Sequence, residues 1–149
     1  MNNKSQNINV WSYLEEYEEY EDEVLEIVSK VFKSGKLILG DNVEQFETNF
    51  SKWIGSKYGT GVGNGTDAIK LALLALNIGK NDEVITVSNT AVPTISAIVE
   101  TGAKPVFCDV NQDDFNISTN SIEELITKKT KAIVCVHLYG HPAKMTKIN

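Results

Sequence analysis

From residue 58 onward, short apolar runs alternate with helical segments, and this alternation confines the chain to one fold class. The runs cover residues 58–62, 84–87, 106–110 and 132–136. Between them the spacing predicts helices over 69–76, 94–100 and 121–127. Strands separated in this way are joined by right-handed crossovers, so the expected architecture is α/β, a mostly parallel sheet with helices on both faces. Functional loops of such sheets gather at the carboxyl ends of the strands. Three loops qualify, at residues 63–67, 88–94 and 137–142, and residues 143–149 read as the opening of one more helix.

The first third of the chain follows a different period. Leu14, Tyr17, Val24, Val28 and Val31 recur at helical spacing among many glutamates, predicting an amphipathic helix over 12–33 with an acidic face that is either solvated or a docking surface. Ser34-Gly35 ends it, and Leu37-Ile38-Leu39-Gly40 forms a short apolar turn. Asp41 with Glu44 resembles a capping box, and Val43, Phe46, Phe50 and Trp53 mark one face of a second helix that Gly55 stops. The expected organisation is an N-terminal helical segment, 1–57, followed by the first part of an α/β domain, 58–149, in one structural unit. No internal repeat or low-complexity segment interrupts it.

Composition narrows the function. At 149 residues and 42% hydrophobic, the chain has material for one core. A net charge of −6 and a pI near 4.9 argue against a nucleic-acid surface, which needs clustered cations. All 14 basic residues are lysine, so no guanidinium fork is available for a planar carboxylate. Cys108 and Cys135 sit in apolar runs without metal-ligand spacing and read as buried free thiols of a reducing compartment. The polar stretch from Met1 to Asn7 lacks a signal-peptide core, and no run approaches the roughly 18 apolar residues of a membrane span. A soluble, cytoplasmic protein is the expectation.

The loop Gly63-Asn64-Gly65-Thr66-Asp67-Ala68 carries the most chemistry. It opens an apolar helix, where bare backbone N–H groups and the helix dipole attract an anion. Gly61, Gly63 and Gly65 permit close approach, and the Thr66 hydroxyl adds a donor. The loop matches neither G-x-x-x-x-G-K-[ST] nor the spacing of G-x-G-x-x-G. It reads as a phosphate cradle or as a glycine-rich turn before a core helix.

The order of motifs resembles the DegT/DnrJ/EryC1/StrS sugar aminotransferases, pyridoxal-phosphate (PLP) enzymes of the aspartate aminotransferase fold. The resemblance covers about residues 10–145. It rests on Ser34-Gly35 with Leu37-Ile38-Leu39-Gly40, the 63–68 loop, Asp82-Glu83-Val84-Ile85, Ser88-Asn89-Thr90, Gly102-Ala103-Lys104-Pro105-Val106-Phe107, Thr130-Lys131-Ala132-Ile133 and His137-Leu138-Tyr139-Gly140. It implies the large, PLP-binding domain of fold type I, truncated here. Gly65 and Thr66 match the positions that hold the PLP phosphate, with Asn64 before them. The 88–94 loop matches the segment lying over the cofactor ring, where many members place an aromatic residue. Here that position is Ala91, so either an aliphatic contact or an aromatic from elsewhere serves. His137 stands where it faces cofactor or substrate, or acts as a structural imidazole; His141 reads as a loop residue. The turn at 37–40 matches a segment reaching toward a partner subunit's site, or is an apolar packing turn.

The same resemblance implies amino transfer from an amino acid, L-glutamate, to a nucleotide-linked keto-sugar, by a homodimer in the full-length form. Transamination needs a Schiff-base lysine and a carboxylate beside the pyridine nitrogen. Both are expected beyond Asn149, since Lys70, Lys80, Lys104 and Lys131 do not sit in the family's lysine motif, and Lys144 and Thr146 stand where many members carry aspartates. The 149-residue chain is therefore expected to be inactive alone. The alternatives are a PLP-dependent sugar dehydratase of the same family, with histidine for the catalytic lysine, and a non-catalytic truncated product.

Overall fold

The computed structural model describes residues 11–149; the polar stretch Met1 to Asn7 lies outside them. The described residues fall into two compact units, one ending at Gly61 and the other running Val62–Asn149.

In the first unit, a run free of glycine and proline forms helix α1 (Leu14–Ser34), with Glu15 and Glu16 in its first turn and Lys33 in its last, each matched to the dipole. Gly35 ends it at φ 69°, where a Cβ would be strained. Helix α2 (Asp41–Ile54) ends the same way at Gly55, φ 74°. The expected capping box does not form. Gly40 takes the extended cap position, while Asp41 is already helical and pairs with Lys36 Nζ at 3.1 Å. Phe46, Phe50 and Trp53 do share a face, with successive ring centroids 5.6 and 5.7 Å apart. That face stays exposed, as do Leu37, Ile38 and Leu39 in the turn between the helices.

The strand expected over 58–62 is absent: the segment is exposed, irregular backbone, and the Gly61 N–H donates to Glu47 Oε1 at 2.6 Å. Gly59 and Gly61 have no side chain to bury, and among the described residues no strand runs beside them to supply ladder bonds.

The second unit holds α3 (Gly65–Ala75), β1 (Glu83–Val87), α4 (Val92–Glu100), β2 (Lys104–Cys108), α5 (Thr119–Leu125), β3 (Thr130–Ile133), a 3-10 turn (Leu138–Gly140) and α6 (Met145–Ile148). Helix α3 starts at Gly65, earlier than the apolar run, because Asn64 caps it. The three strands are parallel in the order β2-β1-β3, with β1 paired from Glu83↔Lys104 to Val87↔Cys108 on one side and through Ile85↔Ile133 on the other. β2 and β3 both begin two residues before their apolar runs. The length of β1 sets where the ladder stops, so Val110 leaves it and bridges Ile117 instead.

Alternation along β1 divides the core between the two faces. Val84 packs with Leu73, Ile78, Ile98 and Ala103 under α3 and α4, whereas Ile85 and Val87 pack with Cys108, Ile117 and Ile122 under α5. Each fully buried Val or Ile contributes about 1.5–3 kcal/mol. Thr86, also fully buried, donates its hydroxyl to the Val134 carbonyl at 2.9 Å, which removes the penalty of an unpaired polar group. Cys108 and Cys135 are free, and burial pushes both thiols up. Cys135 is half-buried rather than buried, since it lies past the end of the edge strand β3.

Candidate functional site

In parallel βα connections each helix runs back against its strands, so the start of α3, the start of α4 and the segments leaving β2 and β3 lie at the carboxyl end of the sheet. Asn64, Gly65, Thr66, Ala91 and His137 all belong to these segments.

The first turn of α3 is closed by its own cap. Asn64 Oδ1 accepts the Asp67 N–H at 2.9 Å and Asn64 Nδ2 donates to Asp67 Oδ2 at 2.9 Å, a reciprocal pair that closes the first turn. The Asn64 side chain is thus committed to the helix. Among the described residues, the N–H groups of Gly65 and Thr66 have no hydrogen-bond partner. Gly65 is exposed, and nothing lies within 4 Å of where its Cβ would project. At Gly63 a Cβ would meet Asp67 Oδ2 at 3.0 Å, so this glycine makes room for the capping carboxylate. Asp67 competes for the same dipole, but its carboxylate is turned back onto Asn64. Lys70 supplies no charge to the loop: it is ion-paired with Glu100 at 2.6 Å, and that hydrogen bond holds its ammonium above the usual lysine range. The cradle is therefore two backbone amides and the Thr66 hydroxyl at a helix N-terminus, a donor set that fits a phosphate monoester.

Ala91 caps α4 with an extended backbone and is exposed, presenting only a methyl group; Val92 beside it is 75% exposed. A hydrogen bond between the Thr90 and Thr94 hydroxyls, 2.9 Å long, holds this loop closed. His137 is exposed, and its Nδ1 accepts the Ala143 N–H at 3.0 Å, so the proton of the neutral ring sits on Nε2. Tyr139, two residues on, is 92% exposed at φ 55°, left-handed backbone that is uncommon for a non-glycine residue.

Asn116, which nothing in the sequence marks beyond its place in a polar turn, is hydrogen-bonded to the backbone on both sides of Tyr139. It is 1% exposed. Its Oδ1 accepts the Leu138 N–H at 3.4 Å and its Nδ2 donates to the His141 carbonyl at 3.2 Å. These partners lie 22 and 25 residues away, a distance over which no local pattern carries a signal.

The DegT/DnrJ/EryC1/StrS aminotransferase family model matches residues 18–149. The chain belongs to this family. Among DegT/DnrJ/EryC1/StrS relatives, it is 52% identical over 139 residues to the dTDP-3-amino-3,4,6-trideoxy-alpha-D-glucose transaminase of Micromonospora megalomicea subsp. nigra, covering 93% of this chain and 37% of the relative. It superposes with TM-score 0.88 and 37% identity on S. venezuelae DesV in complex with a ketimine intermediate, over 92% of this chain and 37% of that one. It also superposes with TM-score 0.87 and 34% identity on NtdA from Bacillus subtilis with bound cofactor PMP, over 97% of this chain and 34% of that one. The chain thus spans a little over a third of the length of the curated relatives it matches. Among the described residues, no helix is long and apolar enough to cross a membrane.

Proposed function

We propose that the cradle at the start of α3 holds the phosphate of PLP, and that the whole protein transfers an amino group from L-glutamate to a keto-sugar linked to a nucleoside diphosphate. The carrying observation is the pair of unpartnered amides at Gly65 and Thr66, in a chain whose family relatives include a dTDP-sugar transaminase. Gly65 and Thr66 bind the phosphate through N–H and hydroxyl donors, and Asn64 keeps those amides aligned by capping the turn. Ala91 and Val92 offer an aliphatic surface to the ring, and His137 offers an Nε2–H donor. When bound, PLP supplies the electron sink for amino transfer. The chain brings binding and orientation only; Lys70 is committed to Glu100, and we expect no turnover from the 149-residue chain alone. The free thiols of Cys108 and Cys135 support a reducing, cytoplasmic setting, and a homodimer follows from the resemblance.

Pyridoxamine phosphate tests the cradle, since it lacks the aldehyde that would label surface lysines. Titrated into the chain, it is expected to shift the backbone amide resonances of Gly65 and Thr66. Thr66→Val should weaken binding about tenfold, the scale of one hydrogen bond to a charged group. Unmoved Gly65 and Thr66 amides at millimolar ligand would refute the reading.

A further inference from the structure

Asn116 lies outside every helix and strand, yet it is one of the most deeply buried polar residues of the second unit. An amide side chain in such a place is costly unless both ends are paired. Both ends go to the same short loop, at Leu138 N–H and His141 C=O, and the two peptide groups bracket Tyr139 and Gly140, whose φ values are 55° and 79°. The amide therefore replaces the ladder bonds that this backbone gave up on leaving the sheet. The turn that carries Asn116 is itself fixed: Asp114 Oδ1 accepts from Asn111 Nδ2 at 3.1 Å and from the Asn116 N–H at 3.0 Å, and the Asn111 N–H donates to the Asn116 carbonyl at 2.9 Å. Asp114 also reaches Lys144 Nζ at 3.7 Å, so the far end of the loop is tied to the same turn. Within the loop, Ala143 is buried in the core and its N–H fills His137 Nδ1.

We propose that Asn116 is a positioning residue: by clamping Leu138 and His141 it holds the loop in the one conformation that lets Ala143 bond His137, and so presents His137 Nε2–H and the Tyr139 ring at the carboxyl end of the sheet. This rests on the reading of His137 as a cofactor-facing residue. Asn116 touches no ligand; it acts through the loop.

The test uses the 149-residue chain by NMR, with only two histidines to assign. In the unchanged chain the Leu138 and Ala143 amides are expected to exchange slowly with solvent, and the His137 ring to show protonated Nε2 and bare Nδ1. In Asn116→Leu and Asn116→Ala, exchange at both amides should rise about tenfold, one hydrogen bond's worth, while the methyl signals of Ile85 and Ile98 keep their positions and report an intact core. Added pyridoxamine phosphate should shift Gly65 and Thr66 in all three proteins, but His137 and Tyr139 in the unchanged chain alone. Fast exchange at Leu138 in the unchanged chain overturns the clamp without any variant, and so do protection and a His137 response that survive in both variants. A chain whose Gly65 responds while His137 does not overturns the assignment of His137, and the positioning role with it. Silence at Gly65 refutes the phosphate cradle, yet loss of Leu138 and Ala143 protection in the variants still supports the clamp.

Discussion

Ile98 and Trp53 are both large apolar residues in well-formed helices, yet Ile98 is 0% exposed and Trp53 is 80% exposed. Helices α1 and α2 carry strong local signals, with acidic first turns, basic last turns and glycine stops, though neither has a side-chain N-cap. They nevertheless bury nothing large: α1 has no buried residue, and Ser51 is the buried residue of α2. In the second unit, shorter helices, of which α3 and α5 have side-chain N-caps, sit on a sheet, and five or six buried side chains close each face. The lesson is that local rules make a helix, whereas burial needs a second layer to face it. The exposed row of Phe46, Phe50 and Trp53 is a surface of the kind that marks an interaction site.

The sharpest way to break this contrast is a pair of truncations. Ile98→Ala should destabilise the second unit by about 2–5 kcal/mol, from lost transfer energy and the cavity left behind. Trp53→Ala should change stability by less than about 0.5 kcal/mol, as for other exposed positions. Denaturant unfolding checks both, and equal losses would end the distinction.

A smaller effect sharpens it at the helix starts. Asn64→Ala should cost about 1 kcal/mol, because a real side-chain cap is lost. Asp41→Ala, in a helix whose cap is the Gly40 backbone, should cost only a few tenths. Urea midpoints of the two variants decide the matter.

The smallest effect concerns acid and salt. Asp114 is held below the usual carboxylate range, chiefly by the Asn116 N–H and next by Asn111; Glu26 is lowered by a hydrogen bond from the Lys30 ammonium and by its charge. For both, the folded value lies below the unfolded one, so the stabilisation is full above the ordinary carboxylate range and fades as pH falls through the lowered value. The Glu26 shift depends on an exposed ion pair and should vanish in 1 M salt, while that of Asp114, held by a backbone N–H, should persist. Carboxyl NMR titrations at low and high salt compare the two; a salt-sensitive Asp114 would place it with the exposed pairs.

Much of this was legible in advance because it is local. The alternation beyond residue 58 carried the parallel sheet, Gly35 and Gly55 carried the helix ends, and the 63–68 loop carried the start of α3. What failed did so for want of neighbours. Residues 58–62 have the apolar character of a strand but no strand beside them, and Asp41 has a capping side chain but a helical backbone.

The sequence by itself determined the periodicities, the turns that need glycine and the donor-rich start of α3, since each depends on residues within a few positions of one another. The tertiary structure alone decided which apolar faces are covered, where β1 stops its neighbours, and that Asn116 holds the backbone around Tyr139 from more than 20 residues away. Those outcomes depend on pairing and burial between distant segments, and a buried amide declares its role only when the peptide groups it must satisfy are brought against it.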